Sequence, residues 1–229
     1  MPEENIHPSW KKLIENNEDF LEKLFRKISA EEYNPPKNRV LRFASTDLGK
    51  IRAVILGQDP YPQPGAATGR SFEVAGLESW TEPFAQSSLR NIVRAIYAAK
   101  TGEVLKWTEV RKKIADGEFS ILPPDKLWDA LEAQGVLFVN AYLTCRAHEP
   151  LSHKALWEPF SREMVKFIDE NAAPCWFLWG AGARSYEPLI KKGKIYASRH
   201  PMMTTSAEDD FLKNPCFRET ADFIDWTGR

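Results

Sequence analysis

Residues 52–72 read RAVILGQDPYPQPGAATGRSF. The run Arg52–Leu56 has the length and near-continuous hydrophobicity of a strand buried on both faces. It stops at Gly57, and prolines and glycines follow at once. Among them stand one acid, Asp59, and two aromatics, Tyr61 and Phe72. Pro60 biases Asp59 toward extended backbone, so a stiff loop aims the acid.

Three more apolar runs share that character: Val136–Tyr142, Cys175–Trp179 and Lys194–Ser198. Between them lie stretches of helical period at Ser88–Ala99, Asp125–Ala133, Trp157–Asn171, Ala183–Lys191 and Phe217–Trp226. Ahead of them, Ser9 to Ile28 reads as one amphipathic helix ended by Asn34-Pro35-Pro36. Strand alternating with helix predicts an α/β fold. The expected form is a three-layer α/β/α arrangement around a central four-stranded parallel sheet. Residues 1–229 are expected to make a single domain. Thr101–Pro124 is charged and interrupted by proline, and reads as an insertion or a loosely packed connection.

An open parallel sheet binds its ligand beyond the carboxyl ends of the strands. The residues there are Gln58, Asp59 and Tyr61, then Asn140, then Gly180 and Ala181, and last His200. Asp59 can orient water or face a developing positive charge. His200 can stabilise a departing anion. Asn140 carries donors and an acceptor that match a planar amide or imide edge. Tyr61 and Phe72 can wall a flat ring. Taken singly, each is better explained as a cap, a turn or a piece of core. What favours function is different chemistry at four strand ends along one crevice.

The net charge of −1 gives no global positive field for nucleic acid, though a local basic patch is compatible with it. Three cysteines without a C-x-x-C pair point to reduced thiols and a cytoplasmic setting. No apolar run reaches membrane-spanning length. Cys145, His148 and His153 cluster in TCRAHEPLSH, but the spacing fits no standard zinc pattern, so neither metal nor cofactor is expected. No G-x-G-x-x-G follows a strand and no phosphate-binding loop motif exists.

The ordered motifs resemble those of family 1 uracil-DNA glycosylases. GQDPY with Phe72 is similar to the water-activating loop and base-stacking aromatic. Ser88-Leu89-x-Asn91, VNAYLTCRAHEPLSH, FLWGAGA and His200-Pro201 follow in the family's order. The resemblance implies that Asp59 positions the attacking water and that His200 hydrogen-bonds uracil O2. It further implies that Asn140 reads N3 and O4, that Phe72 stacks on the ring, and that Tyr61 blocks a C5 methyl. Gln58 would act mainly through its backbone. The implied partner is uracil-containing DNA, single- or double-stranded. An inhibitor protein or accessory subunit is left open, and a monomer is implied.

The DNA-gripping motifs depart from the pattern. Pro62 stands where a histidine is usual, and Gln86-Ser87-Ser88 replaces P-P-S. Gly180-Ala181 lacks the serine hydroxyl, and Met202, Met203 and Thr204 replace the serine and wedging leucine of H-P-S-P-L-S. Ser88, Gly180, Ala181, Met202, Met203 and Thr204 are therefore the expected DNA contacts. Arg70, Arg90, Arg146, Arg184 and Arg199 are candidate phosphate contacts. Two alternatives stand beside the glycosylase: a catalytically weak binding subunit of the same fold, and a glycosylase for another modified pyrimidine.

Overall fold

The computed structural model describes residues 6–229. In chain order the helices are α1 (Lys11–Asn16), α2 (Glu18–Ile28), α3 (Ser87–Thr101), α4 (Trp107–Ala115), α5 (Pro124–Ala133), α6 (Lys154–Ala172), α7 (Ala181–Arg184) and α8 (Cys216–Glu219). The strands are β1 (Tyr33–Asn34), β2 (Ala53–Gly57), β3 (Val136–Asn140), β4 (Cys145–Arg146), β5 (Cys175–Trp179) and β6 (Ile195–Ser198). The main sheet is parallel in the order β3-β2-β5-β6. β1 and β4 form a separate antiparallel ribbon.

Alternation along the strands divides the core into two layers. Val54 and Leu56 of β2, Leu137 and Val139 of β3, and Trp176 and Leu178 of β5 face α1, α2 and α6. Ala53, Ile55, Val136, Phe138, Phe177 and Trp179 face α3, α5 and α8. The sheet is thus covered on both faces, as its apolar strands require. All four strands run the same way, so their carboxyl ends share one edge.

Several elements differ from the sequence expectation. The first amphipathic stretch is two helices, broken at Asn17 (φ −117°, ψ 12°). Ala183–Lys191 is a four-residue helix followed by a 3-10 turn at Glu187–Leu189. Phe217–Trp226 is helical only at Cys216–Glu219, and its aromatics pack from turns. Thr101–Pro124 is not loose. It holds α4, and Val110, Phe119 and Ile121 are buried, with Phe119 edge-on to Tyr97 at 5.0 Å. Among the described residues no helix is long and apolar enough to cross a membrane.

Candidate active site

The site starts from one register pair. Gly57 ends β2 opposite Asn140, which ends β3. A Cβ on residue 57 would lie 2.1 Å from Oδ1 of Asn140 and 2.7 Å from Cβ of Ser71. Only glycine allows the Asn140 amide to lie across the end of β2. Asn140 is buried, and among the described residues its side-chain amide has no hydrogen-bond partner. The ladder continues past the strand ends, where Ala141 N–H donates to Gly57 O and Tyr142 N–H to Gln58 O, both at 2.9 Å. This holds Gln58 and Asp59 beside the Asn140 turn.

Asp59 is half-buried. The backbone N–H of Leu151 donates to its Oδ2 at 2.7 Å. Burial raises the Asp59 pKa above the ordinary value of 3.8, and that one N–H only partly offsets it. The neighbouring loop is held in place by His148 N–H donating to Pro62 O at 2.8 Å. Tyr61 is half-buried, and burial pushes its phenol pKa well up.

Phe72 forms the facing wall. Its ring centroid lies 6.1 Å from the His200 ring and 5.6 Å from the nearer Trp179 ring. Its backbone has φ +62°, a left-handed conformation that costs an aromatic residue about 1–3 kcal/mol. Ser71 just before it donates through Oγ to Ile55 O at 2.9 Å.

His200 follows β6. The backbone N–H of Met202 donates to its Nδ1 at 3.1 Å. With Nδ1 accepting, the single proton of the neutral ring sits on Nε2, which is a donor. Burial also lowers the ring's pKa below the ordinary 6.5, so it is neutral at pH 7. Gly180 (φ +89°) lets the turn after β5 pass this ring, since a Cβ there would meet Cβ of His200 at 3.0 Å. Asn91 of α3 donates through Nδ2 to Pro201 O at 2.6 Å and pins the following turn.

The strand ends thus bring Gln58, Asp59, Asn140, Gly180 and His200 to one edge, with Phe72 against His200. Ala181 is exposed at the start of α7, Met202, Met203 and Thr204 are exposed on the turn after His200, and Ser88 is half-buried in the first turn of α3. Met202 and Met203 are large apolar side chains 58% and 54% exposed.

The candidate phosphate contacts need correction. Arg70 is buried and binds Glu73, Asp129 and Glu132, so it cannot reach a phosphate. Arg146 pairs with Glu31 and Glu149, and Arg199 with Asp209 at 2.7 Å. Arg184 lies 3.9 Å from Asp209, and Arg90 stacks over Phe84. Sequence reasoning also missed Leu151. Its contribution is a backbone N–H, which no side-chain pattern announces. His153 is a structural group, bonded to Thr144 Oγ1 at 2.8 Å and Glu31 at 3.1 Å.

A uracil-DNA glycosylase of Streptococcus gordonii is 31% identical over 95% of this chain and 94% of its own length. One from Borreliella burgdorferi is 32% identical over 96% of this chain and 93% of its own. The chain belongs to the uracil-DNA glycosylase family. No protein-family model matches it. The wild-type UNG crystal structure from Nitratifractor salsuginis shares its fold with TM-score 0.73, at 21% identity over 97% of this chain and 92% of that one. A mimivirus uracil-DNA glycosylase has the fold too, with TM-score 0.66 and 24% identity over 85% of this chain and 68% of that one. A Y322L form of the mimivirus protein is in complex with UGI. Family membership accounts for the three-layer α/β/α architecture and the order of the strand-end motifs.

Proposed function

We propose that this glycosylase hydrolyses the N-glycosidic bond of uracil in DNA and leaves an abasic site, the opening step of base excision repair. The observation that carries it is the Met202 N–H on His200 Nδ1, which turns a neutral imidazole into an Nε2–H donor beside the Phe72 ring. Glycosidic cleavage places growing positive charge on the sugar and negative charge on the departing base. The Nε2–H donates to uracil O2 as that charge appears. Asn140 offers a free amide to the N3 and O4 edge, and a mismatched base there leaves a buried polar group unpaired, at about 1–3 kcal/mol.

Asp59 serves the other end of the bond. Its Oδ2 is fixed by Leu151 and its other oxygen is left to hold the attacking water and to face the sugar's positive charge. Tyr61 restricts space beside C5, and Phe72 stacks on the base. The base leaves the duplex to reach these groups, the flipping for which glycosylases are a standard example. No step here requires a covalent enzyme intermediate, so the product is an intact strand with an abasic site.

Release of uracil from a uracil-containing oligonucleotide tests this directly. Release by the wild type, abolished by Asp59→Asn, is expected. A wild type that binds DNA but frees no base would establish the binding-subunit alternative. Release of a C5-substituted base in preference to uracil would establish the other.

The turn after His200 supports a finer reading. Thr204 is a poor wedge for an unstacked duplex, while Met202 and Met203 are apolar and flexible enough to enter one. Single-stranded substrate needs no wedge. The enzyme is therefore expected to cleave single-stranded uracil DNA faster than duplex. The complex of the mimivirus protein with UGI supports inhibition of this enzyme by UGI, which is read by adding UGI to the same assay.

A further inference from the structure

We propose that Arg70 is a positioning residue for Phe72: with Glu73 it closes a four-residue clasp, anchored to α5, that keeps the aromatic wall in its left-handed backbone and aimed at the base. The role for Phe72 rests on the function proposed above, while the clasp itself rests on geometry alone.

Phe72 holds φ +62°, which an isolated chain would leave. Something must constrain it on both sides. The Arg70 guanidinium, only 4% exposed, donates from Nη1 to Glu73 at 3.1 Å, spanning Ser71 and Phe72. Its Nη2 reaches Asp129 at 2.5 Å, and Nε reaches Glu132 at 2.7 Å. Both acids stand on α5, beneath the loop. Arg42 adds a donor to Thr68 O at 3.2 Å and lies 3.9 Å from Glu73. Ser71 is fixed from the inside by Ile55 O, and its own carbonyl accepts from Trp128 Nε1 at 3.4 Å. Ser71 is thereby tied to β2 and α5, and Glu73 to Arg70, which is itself held on α5. A planar fork serving three carboxylates at fixed angles is a task for arginine, and a lysine would satisfy it poorly.

Misplacement of a reacting partner by a fraction of an ångström to 1 Å costs about ten- to a hundredfold in rate. Arg70→Lys and Glu73→Gln are made alone and in a Phe72→Ala background, with melting temperatures recorded for each. The expected result is a drop of about tenfold in kcat for uracil release, with KM for DNA nearly unchanged. In the Phe72→Ala background neither change lowers kcat further. Equal losses in both backgrounds would overturn the clasp and reduce Arg70 to a staple for stability. So would a lowered melting temperature at unchanged kcat.

A second readout needs no activity. The protein has four histidines, so the His200 ring protons are assignable by NMR. Loss of the neighbouring Phe72 ring current in Phe72→Ala shifts them. Glu73→Gln, the milder change, should move them toward the Phe72→Ala position. Unmoved signals would refute the clasp even if the wild type released no uracil.

Discussion

Two aspartates, one buried and one half-buried, make contrasting use of their carboxylates. Asp169, near the end of α6, is 1% exposed. It accepts backbone N–H bonds from Lys191 at 2.6 Å, Lys192 at 2.9 Å and Gly193 at 2.8 Å, and a bond from Trp176 Nε1 at 3.2 Å. Burial alone would raise its pKa, but those donors win and hold it below the ordinary carboxylate value. Asp59 has only Leu151, and there burial wins. A carboxylate whose oxygens are all satisfied is a fastener, here for the segment leading into β6. One left with an open oxygen, and raised in pKa by burial, suits the role proposed for Asp59, at a cost to the fold.

The sharpest test of that contrast is activity. Asp59→Asn should lower kcat for uracil release about a thousandfold, the scale of a lost transition-state charge partner. Asp169→Asn, far from the crevice, should keep kcat within about twofold once folded. Stability should respond in the opposite sense. Asp169→Asn places an amide NH2 against backbone donors and should cost about 1–3 kcal/mol, read as a lowered midpoint in denaturant.

The third test addresses the exposed turn. Met202→Ala with Met203→Ala should reduce the duplex rate about tenfold relative to the single-strand rate, the equivalent of losing part of the compensation for unstacking. Equal loss on both substrates would show that the methionines hold His200 rather than DNA.

The smallest effect concerns pH. Asp59 has a raised pKa in the fold, so its charged form is what the fold resists. Asp59→Asn should therefore raise the melting temperature at pH 7 by roughly 2 °C. That advantage should shrink as pH falls through the raised value and vanish below 3.8, where the unfolded carboxyl is protonated too. For Asp169 the sign reverses. The wild type's advantage is full above 3.8 and disappears as pH falls through the depressed folded value. Melting curves from pH 3 to 7 for both variants would break the comparison if the two differences changed in the same direction.

The sheet was legible because buried parallel strands announce themselves as short apolar runs, and the β5 bounds Cys175–Trp179 agree to the residue. The strand-end rule then located Asp59, Asn140 and His200 without any contact information. Thr101–Pro124 was illegible because its buried groups, Val110, Phe119 and Ile121, are isolated among charges and follow no period. Arg70 misled for a related reason. A guanidinium looks the same in sequence whether it faces phosphate or three carboxylates brought from α5 and the next turn. Leu151 left no trace because a peptide group does its work. Gly57 was visible as a breaker, but its closeness to Asn140 depends on register, which appears only when strands are paired.

One peptide amide, that of Met202, links the turn proposed to meet the nucleic acid to the ring proposed to receive the base. If those roles hold, grip and chemistry are not separable modules in this enzyme. Anyone grafting a stronger duplex-binding turn between Pro201 and Asp210 must preserve an amide pointing at Nδ1. A proline at the first position of such a graft, in place of Met202, would remove that N–H and let the imidazole proton move to Nδ1, leaving a lone pair on Nε2 where the proposed chemistry needs a donor.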